Sequence, residues 1–227
     1  MPMTASTPTS IQTINATTFP QWQPATWEDY LRWRDAPTPE IIKLFFDQNQ
    51  LLIDMGSEGI NHASVSDLFT MLFGFWFNHY RTQTAASFGR CLIEKPNTQA
   101  AAPDLVLYIG KNVPQWQPGE PRRIDLTKWR VPDLVGEVSD TTLATDLDEK
   151  KQLYAALLIP EYWVINVSGK QVMAFRLQEN SKYQQISQSV ALENLAIVLL
   201  EQTLERLSQE SNINAALWFA QQIAEVS

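Results

Sequence analysis

The chain is poor in the residues on which several protein classes depend. Its 227 residues contain one cysteine, Cys91, and two histidines. A single thiol forms no internal disulfide, and so few Cys and His ligands exclude the usual zinc-finger frameworks. Basic residues are in the minority, 17 Lys and Arg against 25 Asp and Glu, for a net charge of −8. That balance opposes a protein whose main task is to coat nucleic acid or an anionic membrane. It leaves room for an enzyme that handles a phosphodiester through metal ions. Long apolar runs are also missing. The longest candidate, Leu68 to Phe77, is interrupted by Thr70 and Gly74 and is about half of the roughly 20 residues a membrane-spanning helix needs. The first 26 residues lack both a charged side chain and an apolar run, which argues against an export signal and for a cytoplasmic protein. Signatures of nucleotide binding, serine hydrolysis and thiol redox chemistry are absent: there is no GxGxxG, Walker loop, GxSxG, HExxH or CxxC.

What is abundant is core material. Hydrophobic residues are 44% of the chain and aromatic residues 11%, enough to exclude global disorder. Residues 1–25 are a polar, low-complexity arm expected to be flexible, with structure beginning near Trp27. The main domain is assigned to 26–207 and a C-terminal helical extension to 208–227. Thr26 with Asp29 three residues on predicts a capped helix to Arg34. A second helix is expected from Pro39 to Gln48, and a small strand over Leu51 to Met55. Ser64 to Tyr80 repeats apolar residues every three or four positions, the strongest helical pattern in the chain.

Beyond it, Cys91–Glu94, Pro103–Ile109, Val131–Ser139, Glu161–Val167, Val172–Leu177 and Tyr183–Ser187 are short, β-branched or aromatic, and bounded by turn residues. They predict strands of one sheet. Asp146 to Leu158 is expected to be a helix, with Asp146 and Glu149 as a capping box, and helices follow over Leu192–Leu207 and Ala215–Val226. The order of elements indicates an α/β or α+β fold with a mixed sheet.

Two strands open with the same pair, Pro103-Asp104 and Pro132-Asp133. Side chains alternate along a strand, so Asp133, Val135 and Glu137 share a face, and Glu137 falls among residues that otherwise belong to a core. A carboxylate there must be paired, protonated or bound to a cation. If the two strands are neighbours, Asp104 and Glu137 converge, and hard oxygen donors of this kind suit Mg²⁺ or Mn²⁺. In a metal-free site, Asp104, Glu137 and Asp133 would then repel one another and raise each other's pKa. Lys150, four residues before Tyr154, shares a helix face with that ring and is directed at the same strand end.

The run Pro132-Asp133-Leu134-Val135-Gly136-Glu137-Val138-Ser139, then Asp146, Glu149, Lys150 and Tyr154, then Ile159-Pro160-Glu161-Tyr162-Trp163-Val164-Ile165-Asn166, resembles the Uma2 (DUF820) family of endonucleases. These belong to the PD-(D/E)XK nuclease superfamily. His62, before the long helix, and Pro103-Asp104 agree with it, and the resemblance extends over about Trp27 to Leu200. It implies a restriction-endonuclease-like mixed central sheet flanked by helices. It also implies Asp104 and Glu137 as ligands of Mg²⁺ or Mn²⁺ and as catalytic residues, with DNA as substrate. The superfamily's usual lysine two residues after the second acid is missing, because position 139 is Ser. The resemblance places that lysine at Lys150, with Lys151 as its neighbouring competitor. His62, Asp133 and Tyr154 are expected as supporting residues.

The insertion Val113 to Arg130 carries Arg122, Arg123, Lys128 and Arg130, the best candidate for a DNA-backbone contact, and base stacking on Trp116 or Trp129 would need a basic groove around them. The rival expectation is an inactive nuclease fold that binds nucleic acid or a protein partner. A homodimer is the expected assembly.

Overall fold

A computed structural model of the chain describes residues 21–37, 42–55, 58–80 and 83–225. Among the described residues the first element is β1 (Gln23–Pro24), ahead of the expected start near Trp27, because Gln23 and Pro24 pair with Leu51 and Gln50; the expected arm lies outside the described residues up to position 20. Helix α1 (Trp27–Asp35) starts as the sequence predicts. The Thr26 hydroxyl accepts from the Asp29 amide while the Asp29 carboxylate accepts from the Thr26 amide, a reciprocal cap.

The expected helix from Pro39 to Gln48 is instead strand β2 (Ile42–Asp47); Pro39 to Ile41 lie outside the described residues. Its apolar run has no helical period because β2 is buried on both faces. Leu44 and Phe46 pack with Tyr30 beneath α1, and Phe45 packs on the opposite side with Leu52, Tyr154 and Val164. A two-residue turn with positive φ at Gln48 and Asn49 folds β2 back onto β3 (Gln50–Met55).

Helix α2 (Ile60–Tyr80) follows, then β4 (Ala85–Ser87), β5 (Ile93–Lys95), β6 (Gln99–Ala101), β7 (Leu105–Ile109), β8 (Ile124–Asp125) and β9 (Leu134–Ser139). Helices α3 (Leu143–Leu147) and α4 (Glu149–Ala156) lead into β10 (Glu161–Asn166), β11 (Gln171–Leu177) and β12 (Tyr183–Ile186). The chain closes with α5 (Ile197–Leu207) and α6 (Asn212–Glu225). The expected helix from Asp146 to Leu158 is thus two helices broken at Asp148, whose φ of −117° and ψ of −86° are not helical. Asp146 is no cap; it is buried in α3. The residues from Leu192 to Ala196 form turns rather than the start of α5.

The strands form two mixed sheets, not one. The first has the order β1-β3-β2-β6-β5-β8, and the second β12-β11-β10-β9-β7-β4. In the second, β9 and β10 are parallel and joined across α3 and α4, while the other pairs are antiparallel. One face of this sheet packs on α2, α5 and α6 through Leu68, Leu72, Trp163, Leu200 and Phe219. Phe69 and Phe73 both contact the Trp163 ring, with centroids 6.1 and 6.0 Å away. The other face buries Val106, Tyr108, Val135 and Val164 against Phe45 and Leu52 of the first sheet and Leu153 and Tyr154 of α4. The chain therefore has a mixed α/β fold with its central sheet covered on both faces. No helix of the described residues is long and apolar enough to cross a membrane.

Candidate active site

The polar groups collect where β7 and β9 run side by side. Leu105 pairs with Gly136 and Val106 with Val135 in antiparallel register. Stepping outward from Leu105 and Gly136 brings Asp104 opposite Glu137, both on the face that carries Val106 and Val135. Gly136 lets the strands sit close: a Cβ there would come 3.2 Å from Leu105 Cδ1. Asp104 and Glu137 are both almost fully buried. The pairing of the two acids expected from the sequence is therefore present, and each acid has its own set of partners.

Asp104 has three polar partners. The Lys43 ammonium from β2 contacts its Oδ1, His62 Nε2 lies 3.0 Å from its Oδ2, and the Val138 amide donates to Oδ2 at 2.8 Å. Burial pushes the Asp104 carboxyl up, but the His62 hydrogen bond and the Lys43 charge outweigh it and hold the pKa well below the usual carboxylate range. Mutual repulsion between the acids, expected to raise every pKa in a metal-free site, does not govern Asp104. Glu58, just before α2, extends this half of the site. Its oxygens lie 3.2 Å from Lys43 Nζ, 3.3 Å from His62 Nδ1 and 3.2 Å from Arg90 Nε. Glu58, His62 and Asp104 each present a ligand atom within 4.8 Å of the others, a group that could hold a metal ion.

Glu137 sits deeper. The Tyr154 hydroxyl donates to Oε1, and Lys150 Nζ lies 3.2 Å from Oε2. Lys150 is itself shared, with Asp146 Oδ1 2.9 Å away, and its ammonium lies 4.2 Å from the centre of the Phe45 ring. Burial raises the Glu137 pKa to about 8; Lys150 opposes this, while Asp104 and Asp146 add to it. Burial acts to discharge Lys150 too, but Glu137 and Asp146 together keep it charged, with a pKa above the ordinary lysine value. One ammonium between two carboxylates leaves this half of the site short of positive charge. The Tyr154 hydroxyl, fully buried beside Glu137, is pushed far up and stays a donor.

Other expected residues lie elsewhere. Asp133 does not face the site: its Oδ2 accepts from the Ile109 amide at 2.7 Å and from Arg130 at 2.8 Å, so it ties β7 to the start of β9. Lys151 points away from Glu137, with its ammonium 4.3 Å from the centre of the Phe175 ring. The basic insertion is largely neutralised, for Arg123 pairs with Glu94, Lys128 with Glu120 and Arg130 with Asp133.

Three site residues escaped the sequence reading. Lys43 was hidden in the segment expected to be a helix, although a lone cation in an apolar run carries the same signal as Glu137. Glu58 stands four residues before His62, a spacing that brings the two together around the first turn of α2. Asp146 was taken for a cap.

The site is thus a mixed sheet with two acids facing each other on adjacent strands, each beside a lysine. A solved structure from Anabaena variabilis, described as a putative nuclease belonging to DUF820, has the same fold. It superposes with a TM-score of 0.53 at 16% identity, covering 80% of this chain and 99% of that one. The model of the Uma2 family, described as "Putative restriction endonuclease", matches residues 27–215. The chain belongs to the Uma2 family. No curated protein matches it.

Proposed function

We propose that this protein is a metal-dependent endonuclease that hydrolyses DNA phosphodiester bonds, with Asp104, Glu137 and Lys150 as its catalytic residues. The observation that carries this reading is the placement of Asp104 opposite Glu137 on β7 and β9, with Lys150 on Glu137. The donors suit Mg²⁺ or Mn²⁺: carboxylate oxygens of Asp104 and Glu137, with Glu58 and His62 within reach of Asp104. His62 Nδ1 is buried without a hydrogen bond, and Glu137 lacks enough positive charge around it to stay ionised. When bound, the cation would supply an activated water and neutralise charge developing on the phosphate.

The chain's own groups do the rest. Asp104 is fixed by the Val138 amide and needs no rotamer search to present its oxygens. Glu137 would have to release its proton to ligate a cation, and the Tyr154 hydroxyl keeps its carboxyl oriented. Lys150 holds a positive charge at the deep end of the site, where it can stabilise a phosphoryl oxygen or orient the attacking water. Lys43 contacts Asp104 and Glu58 together as a second ammonium, and Glu58 would remain its partner if a cation took Asp104.

The alternative is an inactive nuclease fold that binds nucleic acid or a protein. One feature favours it: both acids already have cationic partners from the chain itself. Supercoiled plasmid incubated with the protein separates the two. Nicking that requires Mg²⁺ or Mn²⁺, and that disappears in Glu137→Gln, is the expected result. Equal cleavage by the variant, or none by wild type in any divalent metal, overturns the catalytic assignment.

A further inference from the structure

The insertion after β7 builds a cavity that the proposed chemistry does not use. It encloses about 330 Å³ and is lined by Phe88, Cys91, Trp116, Arg122 and Trp129, among others. That volume is at the small end of ligand pockets and suits a single planar ring system. Three of its lining residues, Phe88, Trp116 and Trp129, are aromatic. Trp116 is 53% exposed, yet it is held in place: its indole N–H donates to the Glu120 carbonyl at 2.8 Å, and the Gln117 amide donates to the Glu120 side chain. An exposed tryptophan whose plane is already fixed loses little conformational freedom on stacking.

The charge at the cavity mouth is equally selective. Arg123, Lys128 and Arg130 are each paired with a carboxylate, whereas Arg122, among the described residues, has none and lies with Cζ 5.6 Å from the centre of the Trp116 ring. The insertion therefore offers one cation without a carboxylate partner, lying over one face of a fixed tryptophan ring whose other face can stack. A nucleobase with its phosphate needs both.

The cavity also adjoins the candidate active site. Phe88 and Cys91 line it, and between them Arg90 turns the other way to reach Glu58. Gly89 presses this loop onto β7, since a Cβ there would stand 2.6 Å from the Asp104 carbonyl oxygen. The loop from Phe88 to Cys91 thus touches the cavity on one side and the Asp104 backbone and Glu58 on the other.

We infer that this cavity is a subsite for an unpaired nucleobase of the substrate strand, stacked on Trp116 with its phosphate on Arg122, next to the phosphodiester that is cut. The last clause rests on the nuclease reading; the binding itself does not. The test therefore uses the full-length protein in chelator, where no metal chemistry occurs, and a single-stranded DNA hexamer carrying one 2-aminopurine. Stacking quenches that fluorophore. Wild type is expected to bind with quenching, and Trp116→Ala to lose the quench and bind at least about fivefold more weakly. Trp116→Phe should retain most of both, showing that an aromatic face rather than the fold is at stake. Arg122→Gln should weaken binding of the hexamer and make it less salt-dependent while leaving the quench at saturation.

Quenching unchanged in Trp116→Ala overturns the subsite, as does failure of the hexamer to bind. Deoxyadenosine monophosphate that binds as tightly as the hexamer overturns its assignment to a strand. The two readings fail separately. A hexamer that binds through Trp116 with a protein that never nicks plasmid removes the nuclease and keeps the subsite, while metal-dependent nicking by a protein whose hexamer binding and quench ignore Trp116→Ala does the reverse.

Discussion

Glu137 has a lysine and a tyrosine on its carboxylate and still holds its proton to about pH 8, because burial outweighs both. The consequence for stability has a definite sign. A carboxyl whose folded pKa lies above its unfolded value of 4.5 binds a proton more tightly in the native state. Its contribution is fully present below 4.5 and is lost as pH rises through about 8. In chelator, wild type should therefore lose stability relative to Glu137→Gln across that window, by a few kcal/mol at about 1.36 kcal/mol per pH unit. Denaturant melts of both proteins at pH 5, 6, 7 and 8 measure the difference, and added Mg²⁺ should flatten it. Wild type gaining on the variant as pH rises would mean that Lys150 keeps Glu137 ionised. At this scale the sequence was informative about the acids, since a charge in a β-branched run stands out by itself. It was silent on Asp104's partners, because Lys43 and His62 reach it from β2 and α2, 61 and 42 residues away.

Elements with one buried face were legible by their period, whereas β7, β9 and β10, buried on both faces, were legible by β-branched and aromatic residues set between turn residues. Helix α2 repeats Val65, Leu68, Phe69, Leu72 and Trp76 towards the sheet, and α1 carries its cap in the local sequence. Strand β2 was misread because it has two buried faces, so its residues show no period to separate a strand from a buried helix. The two- and three-residue strands β1, β4, β6 and β8 are too short to carry any pattern. The break at Asp148 has a functional effect. It lets α4 start anew and aim Lys150 at Glu137 and Asp146, while Lys151, about 100° around the helix, meets Phe175. Lys150→Ala should lower cleavage at least tenfold, about 1.4 kcal/mol of barrier. It should also cost roughly 3–5 kcal/mol of stability, because buried Asp146 loses its cation and Glu137 loses a polar partner. Lys151→Ala should leave the rate within about twofold and lose no more than about 1 kcal/mol. Rates measured well below both melting transitions separate chemistry from unfolding. The opposite ranking would transfer the role to Lys151.

At the scale of the whole molecule, the site exists only because several separate parts of the chain meet. Lys43 comes from the first sheet, Asp104 and Glu137 from the second, Glu58 and His62 from the entry to α2, and Lys150 from α4. That the strands divide into two sheets was not legible, because the deciding pairings, such as Phe46 with Ala100 and Ile93 with Ile124, join segments with no local signal. The C-terminal helix raises the same question. As an extension to a domain ending at 207 it should be dispensable. Yet α6 buries Ala215, Ala216, Phe219 and Ile223 in the same core as α2 and Trp163, and Asn212 donates to the Ser64 carbonyl in the first turns of α2. Because α2 carries His62 against Asp104, loosening α6 should be felt at the site. Phe219 is fully buried, and Phe219→Ala should cost roughly 3–5 kcal/mol. Leu217, on the same helix but 48% exposed, should change stability by less than about 0.5 kcal/mol when replaced by Ala. Urea midpoints for the two variants decide the matter, since a separable extension would leave Phe219→Ala as silent as Leu217→Ala.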